Sequence, residues 1–363
     1  MKQIVTSMMA VAGVAMAVQA QTLNMTQLAN IDLIDITGNS ASAKYIGTTP
    51  TAVAWNGTEA YIAGWNNTGA AQNTGIAKVT GIYAPVSTFS NAFDQRLTPA
   101  FRGNLDLARK GDQLYSAAEY GGAVADNGIR QFDISGAPTQ TSAFLNGGYR
   151  ASGLDVDSRT GNIASVSVAT GLRQFVLNDA TTVATQIYGP FATTGYSTLV
   201  GTDANTNWRD VQVDPMTGDV YFRKQNHIWK SVRSGDNAGT QMATQFITLT
   251  VGDQAGQNMD FAYGTADGDF IIANSRSSGA TGQSFASILK AFNLDGTAAS
   301  INLIGYTGPA TGIGWYDFDY DAATKTLAIL DSGNKRLYIF GVPTPGTAGL
   351  LGLAGLAGLR RRR

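Results

Sequence analysis

One unit recurs along this chain about every fifty residues. Ser152–Ile163, Arg209–Val220 and Tyr316–Leu327 each run from an apolar–polar–apolar stretch into Asp-x-x-Thr, and a second apolar stretch follows. Three weaker copies, Ala52–Gly57, Asn104–Asp112 and Asp260–Asp269, keep the same frame. Alternation with period two is the pattern of a strand with one buried face, and no part of residues 22–342 sustains apolar residues at helical spacing. Taking the central polar position as a marker gives Ala54, Asp106, Asp155, Gln212, Ala262 and Asp319, separated by 52, 49, 57, 50 and 57 residues. A unit of that length suits four short antiparallel strands, and six of them point to an all-β ring, a six-bladed β-propeller. A seven-bladed ring and an open pair of sandwiched sheets are the alternatives. Seven blades would require a whole unit within residues 21–49, and 29 residues are too few.

Turn chemistry explains the spacing. An Asp at the start of the turn accepts hydrogen bonds from backbone N–H groups two or three residues on, while Gly161 and Gly218 supply the positive φ of a tight hairpin. Lys325 replaces that glycine in the last copy, which predicts a strained or differently closed turn. Third strands are expected over Gly171–Leu177, His227–Val232, Ile288–Leu294 and Arg336–Gly341. The last unit then runs out of chain, so its fourth strand is expected from the N-terminal segment, Thr22–Ile36 or Ala43–Thr48.

Both ends read as addresses. Met1-Lys2, an apolar run to Val18 and small residues at Val18 and Ala20 describe a secretory signal peptide cut after Ala20. That apolar run is shorter than the roughly 20 residues needed to span a bilayer. At the other end, Val342, Pro343, Thr344 and Pro345 precede the apolar stretch Ala348–Leu359 and the arginines Arg360, Arg361, Arg362 and Arg363. The order of Pro motif, apolar run and Arg cluster resembles the PEP-CTERM sorting signal of exported bacterial proteins. Thr344 stands where that family usually has Glu, and the Gly/Ala-rich apolar run is closer to the planctomycete-type variant. The resemblance implies export, transient inner-membrane retention and processing by an exosortase-type protease. As a helix the twelve apolar residues reach about 18 Å, short of the ~30 Å hydrocarbon core. The arginines would act as membrane-stop charges on the cytoplasmic side. The expected domains are thus a signal peptide over 1–20, a propeller over 21–341 and a sorting segment over 342–363.

Charge and residue type exclude several functions. Five of the 25 basic residues lie in the two tails, which hold no Asp or Glu, so the body carries 20 basic against 26 acidic groups, a net of −6. Nucleic acid and anionic lipid both need a basic face and are not expected partners of that body. With no Cys there is no disulfide, thiol nucleophile or iron–sulfur cluster, and with only His227 no two-His metal motif exists.

In a blade the first strand is innermost. Two residues before the markers stand Ala52, Asn104, Gly153, Asp210, Asp260 and Asp317, and Asp106, Asp155, Gln212 and Asp319 occupy the markers themselves. Asn104, Asp210, Asp260 and Asp317 form a candidate cation site at the channel mouth, where oxygen ligands would select Ca²⁺ or Mg²⁺. The competing reading is that each Asp caps backbone N–H groups of an adjoining strand. His227 has no nucleophile elbow to serve and reads as structural or exposed. Trp65 with Asn66, Trp208 with Arg209 and Trp315 with Tyr316 are aromatic platforms suited to a sugar ring or to packing between blades.

Two functions follow as expectations. The first is an exported, non-enzymatic binding or matrix module at the cell surface, with no assigned catalytic residue. Exopolysaccharide is its expected ligand, since proteins bearing this tail are often associated with polysaccharide production. The second is a Ca²⁺-dependent hydrolase or lactonase, similar to six-bladed enzymes that hold the metal with Glu, Asn and Asp. Glu59 and Glu119 lie on or after second strands, away from the channel mouth, which weighs against it.

Overall fold

Alternating side chains and Asp-led turns give twenty-four strands among the residues that the computed structural model describes. These are residues 21–38, 44–66, 74–94, 101–120, 128–145, 151–167, 171–177, 184–188, 208–224, 227–231, 243–249, 258–274, 288–311 and 316–344. β1 (Thr22–Asp32) comes first in the chain. Four-stranded groups then follow: β2 (Thr49–Trp55), β3 (Ala60–Trp65), β4 (Gly75–Thr80) and β5 (Thr88–Asp94); β6 (Phe101–Lys110), β7 (Gln113–Tyr120), β8 (Gly128–Asp133) and β9 (Thr139–Leu145). The third is β10 (Ala151–Val156), β11 (Ile163–Ser167), β12 (Gly171–Leu177) and β13 (Ala184–Tyr188). The fourth is β14 (Trp208–Val213), β15 (Val220–Lys224), β16 (His227–Ser231) and β17 (Ala243–Thr248). The fifth is β18 (Met259–Thr265), β19 (Gly268–Asn274), β20 (Leu289–Asn293) and β21 (Ala298–Ile304). β22 (Tyr316–Asp321), β23 (Thr326–Asp331) and β24 (Arg336–Gly341) end the series and take β1 as their fourth strand.

Each group is antiparallel, and the first strands follow one another round a cycle: β2 packs beside β6, then β10, β14, β18 and β22, which returns to β2. That arrangement is a β-propeller. Of the two N-terminal segments proposed for closure, Thr22–Asp32 does the work. It runs antiparallel to β24 from Thr26 to Asp32, with an irregularity at Gln27/Ala29, and parallel to β21 over Thr22–Thr26. Expected third strands recur as β12 and β24 with the same limits, and as β16 and β20 shortened by one or two residues.

The core lies in the seams between groups. Leu23 and Met25 of β1 pack with Phe270, Phe318 and Phe340, whereas Ile31 and Leu33 join Val53, Ile62 and Ile339 in the next seam. Tyr61, Leu107 and Phe132 fill another, and Tyr221, Phe261 and Ile271 a fourth. A strand whose two faces lie in two different seams is buried throughout, which is why β3 and β23 read as nearly unbroken apolar runs.

The hairpins follow their turn chemistry. Asp157 Oδ1 accepts from Arg159 N at 2.9 Å, and Asp214 Oδ1 accepts from Met216 N and Thr217 N at 2.8 and 3.1 Å. Gly161 and Gly218 stand at φ of 80° and 79°. Lys325 adopts φ 54°, so the last copy is forced into the left-handed region without a glycine. The folded body also runs past the expected boundary at 341. Val342 is only 4% exposed and its N–H donates to Lys325 O at 2.9 Å, while Pro343 O accepts from Ala266 N at 2.7 Å. Pro345, the terminal arginines, the signal peptide and Trp315 lie outside the described residues.

Candidate functional site

The inner-strand carboxylates bridge neighbouring groups. Asp106 Oδ2 accepts from Leu154 N at 2.7 Å, Asp155 Oδ2 from Val213 N at 2.7 Å and Asp210 Oδ2 from Met259 N at 2.5 Å. Asp260 Oδ2 accepts from Tyr320 N at 2.6 Å, Asp317 Oδ2 from Val53 N at 2.6 Å and Asp319 Oδ2 from Trp55 N at 2.5 Å. In Asp106, Asp155, Asp210 and Asp260 the other oxygen accepts the N–H of the next residue in its own strand, as Asp106 does from Leu107 at 2.8 Å, and Asp317 is likewise bonded to Phe318 N. Between the first and second groups Thr51 substitutes, its Oγ1 donating to Asn104 O at 2.5 Å. Consecutive seams are thus pinned by inner-strand polar side chains.

The carboxylates fall into two sets. The groups that act most strongly by charge on Asp106 are Asp317 and Asp210, and those that act most strongly on Asp260 are Asp319 and Asp155. Of the four residues expected to share a cation, Asp210 and Asp317 therefore keep company with Asp106, whereas Asp260 belongs with the other set. Asn104 is buried and its carbonyl takes the Thr51 hydroxyl. Among the described residues, no three His, Cys, Asp or Glu side chains gather as a metal-ligating group. Register irregularities at Asn104/Asp106 and Trp208/Asp210 interrupt the inner strands beside these acids.

Burial raises these acids. It pushes Asp155, Asp210 and Asp319 up to about 7 against the N–H bonds that favour the ionised form. Asp106, Asp260 and Asp317 lie well above the ordinary carboxyl range, first through burial and then through the neighbouring carboxylate. A positive charge stands beside the first set. Arg223, fully buried on β15, donates from Nη1 to Asn258 O and Asn274 O, both at 3.0 Å, and to Asn274 Oδ1 at 3.2 Å. Asn258 Nδ2 in turn donates to Asp317 Oδ1 at 3.0 Å. This network ties three successive groups together, and burial lowers Arg223 to about 10. Sequence reasoning overlooked Arg223; its signal was a charge within the apolar run Val220-Tyr221-Phe222.

A second motif also escaped notice. Glu59 Oε2 lies 2.6 Å from Lys78 Nζ, which sits 5.5 Å over the Tyr61 ring, and Asp219 Oδ2 lies 3.0 Å from Lys230 Nζ, itself 5.0 Å over Tyr221. Acid-x-Tyr on a second strand facing Lys on the third is the same device used twice. It leaves Glu59 ion-paired on the flank of the group, with Arg109 at 3.3 Å. His227 is half-buried, with Nδ1 3.4 Å from Thr248 Oγ1 and its ring edge-on to Trp229. Asn66 is buried and donates its N–H to Arg102 O at 2.8 Å, which places Trp65-Asn66 at the join of the first two groups.

No protein-family model matches the chain, and no curated protein matches it. Solved structures do. An auxiliary nutrient binding protein from Bacteroides thetaiotaomicron VPI-5482 superposes with a TM-score of 0.54 at 12% identity, over 81% of this chain and 69% of that one. One from Bacteroides ovatus ATCC 8483 gives 0.50 at 12%, over 78% and 66%. A protein of unknown function from Bacteroides thetaiotaomicron VPI-5482 gives 0.51 at 14%, over 89% and 75%. At such identities the likeness is one of fold.

Proposed function

We propose that the protein is an exported six-bladed propeller that acts at the cell surface as a non-enzymatic binding module for extracellular polysaccharide. The observation that carries this reading is the use made of the inner carboxylates. Their oxygens serve the backbone N–H groups of their own and adjoining strands, so the polar interior braces a binding scaffold. The sorting-type tail and secretory leader support delivery to the surface. The fold shared with two structures described as auxiliary nutrient binding proteins supports capture of a ligand rather than its conversion.

The test is a glycan array probed with residues 21–344, followed by calorimetry on any glycan retained. Saturable binding of one polysaccharide class is expected. Absence of glycan binding together with Ca²⁺-dependent cleavage of lactones or esters would replace this reading with the hydrolase alternative.

A further inference from the structure

Exposed apolar side chains concentrate at the seam where the ring closes. Of the six large hydrophobic residues most exposed among the described residues, Leu28, Tyr83 and Val86 line one groove, together with Asp32 and Asp35. The groove, about 380 Å³, runs between β1 and the turn that joins β4 to β5. Tyr83 is held rigidly in it: its hydroxyl donates to Gly57 O at 3.3 Å and its ring meets Trp55 edge-on, 6.5 Å between centroids. Three exposed apolar side chains thus share one groove, with Tyr83 fixed between them.

The chain's own exit lies beside it. Leu28 packs over Gly341, the last residue of β24, and Val342 and Pro343 are pinned immediately beyond. Only four residues, Thr344–Thr347, then separate pinned Pro343 from the apolar run that begins at Ala348. Fully extended, the five steps from Pro343 to Ala348 span about 17 Å. If that run and the following arginines are held by a bilayer, the end of the groove beside Gly341 is carried toward its surface. Tyrosine and aliphatic side chains at the level of lipid headgroups gain by burying their apolar parts there.

We propose that the closing-seam groove is a lipid-contact surface, which lies against the bilayer while the C-terminal tail is anchored. The inference rests on the export-and-anchoring reading above. The tail supplies attachment and the groove fixes which side of the ring faces the membrane. Asp32 and Asp35 also line the groove, so the apolar contact is made by Leu28, Tyr83 and Val86 beside them.

The absence of cysteine makes the test direct. Residues 21–363 are prepared with one fluorophore at Val86→Cys or at Thr244→Cys, an exposed position on β17, three groups round the ring. Vesicles of phosphatidylcholine and phosphatidylglycerol carry a headgroup nitroxide. Cosedimentation, with quenching at position 86 at least about twofold that at 244, is expected, because the nitroxide reaches little beyond the headgroup layer. Val86→Asp should weaken vesicle binding roughly tenfold at unchanged Tm. Cosedimentation with equal quenching and no effect of Val86→Asp overturns the surface but leaves the anchoring reading standing. Failure to cosediment overturns both. Two further results overturn the proposal by naming another occupant. One is a change in the position-86 fluorophore between 21–344 and 21–363 without vesicles, which would put the tail in the groove. The other is a concentration-dependent dimer lost in Val86→Asp.

Discussion

Acidification is expected to stabilise this protein, the reverse of what ion-paired surface carboxylates produce. Asp155, Asp210 and Asp319 are raised by burial to about 7, while an unfolded Asp titrates near 3.9. Between those values the folded state holds more protons than the unfolded state. Stability therefore falls as pH rises from about 4 through about 7. One extra bound proton corresponds to a slope of about 1.4 kcal/mol per pH unit. Like charges that close cannot all ionise, so each set holds at least one extra proton, hence at least about 3 kcal/mol per unit for the two sets. In a domain this long, that is a drop in Tm of roughly 4 °C or more per pH unit. Thermal melts of residues 21–344 by circular dichroism, at half-unit intervals from pH 5 to 8.5 and constant ionic strength, measure it directly. A Tm that is flat or rises across that range would refute the argument. Asp210→Asn is the companion variant. A protonated acid still accepts through both oxygens, but the amide nitrogen cannot accept one of the two N–H groups that face Asp210. Its Tm should be lower throughout, by about 1–3 kcal/mol in stability, and its pH slope shallower.

Three further outcomes follow from the same structure. Arg223→Met should cost about 3–5 kcal/mol in urea unfolding, because Asn258 O, Asn274 O and Asn274 Oδ1 each lose a charged donor and the acids beside it lose a buried positive charge. Lys335→Gly should gain about 1 kcal/mol in the same assay, since Lys335 holds φ 54°, a left-handed conformation that glycine adopts without steric cost. A body that starts at Leu33, lacking β1, should fail to yield a monodisperse species in size-exclusion chromatography. It strips Leu23 and Met25 from the core and exposes the edges of β24 and β21.

Much of the ring was legible because each repeat carries its own punctuation. Asp157, Asp214 and Asp321 cap their turns as their spacing indicates, and the missing fourth strand of the last group pointed back to Thr22 onward. The inner acids were legible as a class but not in their partners. A one-dimensional marker cannot show that Asp260 reaches Tyr320 while Asp210 reaches Met259, since each partner lies on the inner strand of the next group. Arg223 and the two Lys–Tyr–acid clusters were hidden for another reason. Their partners sit on neighbouring strands or groups, and only pairing register brings them together. The two-residue extension of the body through Pro343 was likewise invisible, because Val342 and Pro343 belong by composition to the tail and by hydrogen bonding to the ring.

The partnership of β1 with β24 has a kinetic corollary. Gln27 pairs with Phe340 across more than three hundred residues, so the latch is among the most non-local contacts the polypeptide makes. Such contacts form late, since the intervening loop must be drawn together first. Until the final hairpin has been synthesised, β1 has at most β21 to pair with, and the earlier sheets remain an open arc with a bare flank. A ring latched by its own two extremities is thus slow to shut, and it stays pliable for as long as the chain is still being delivered.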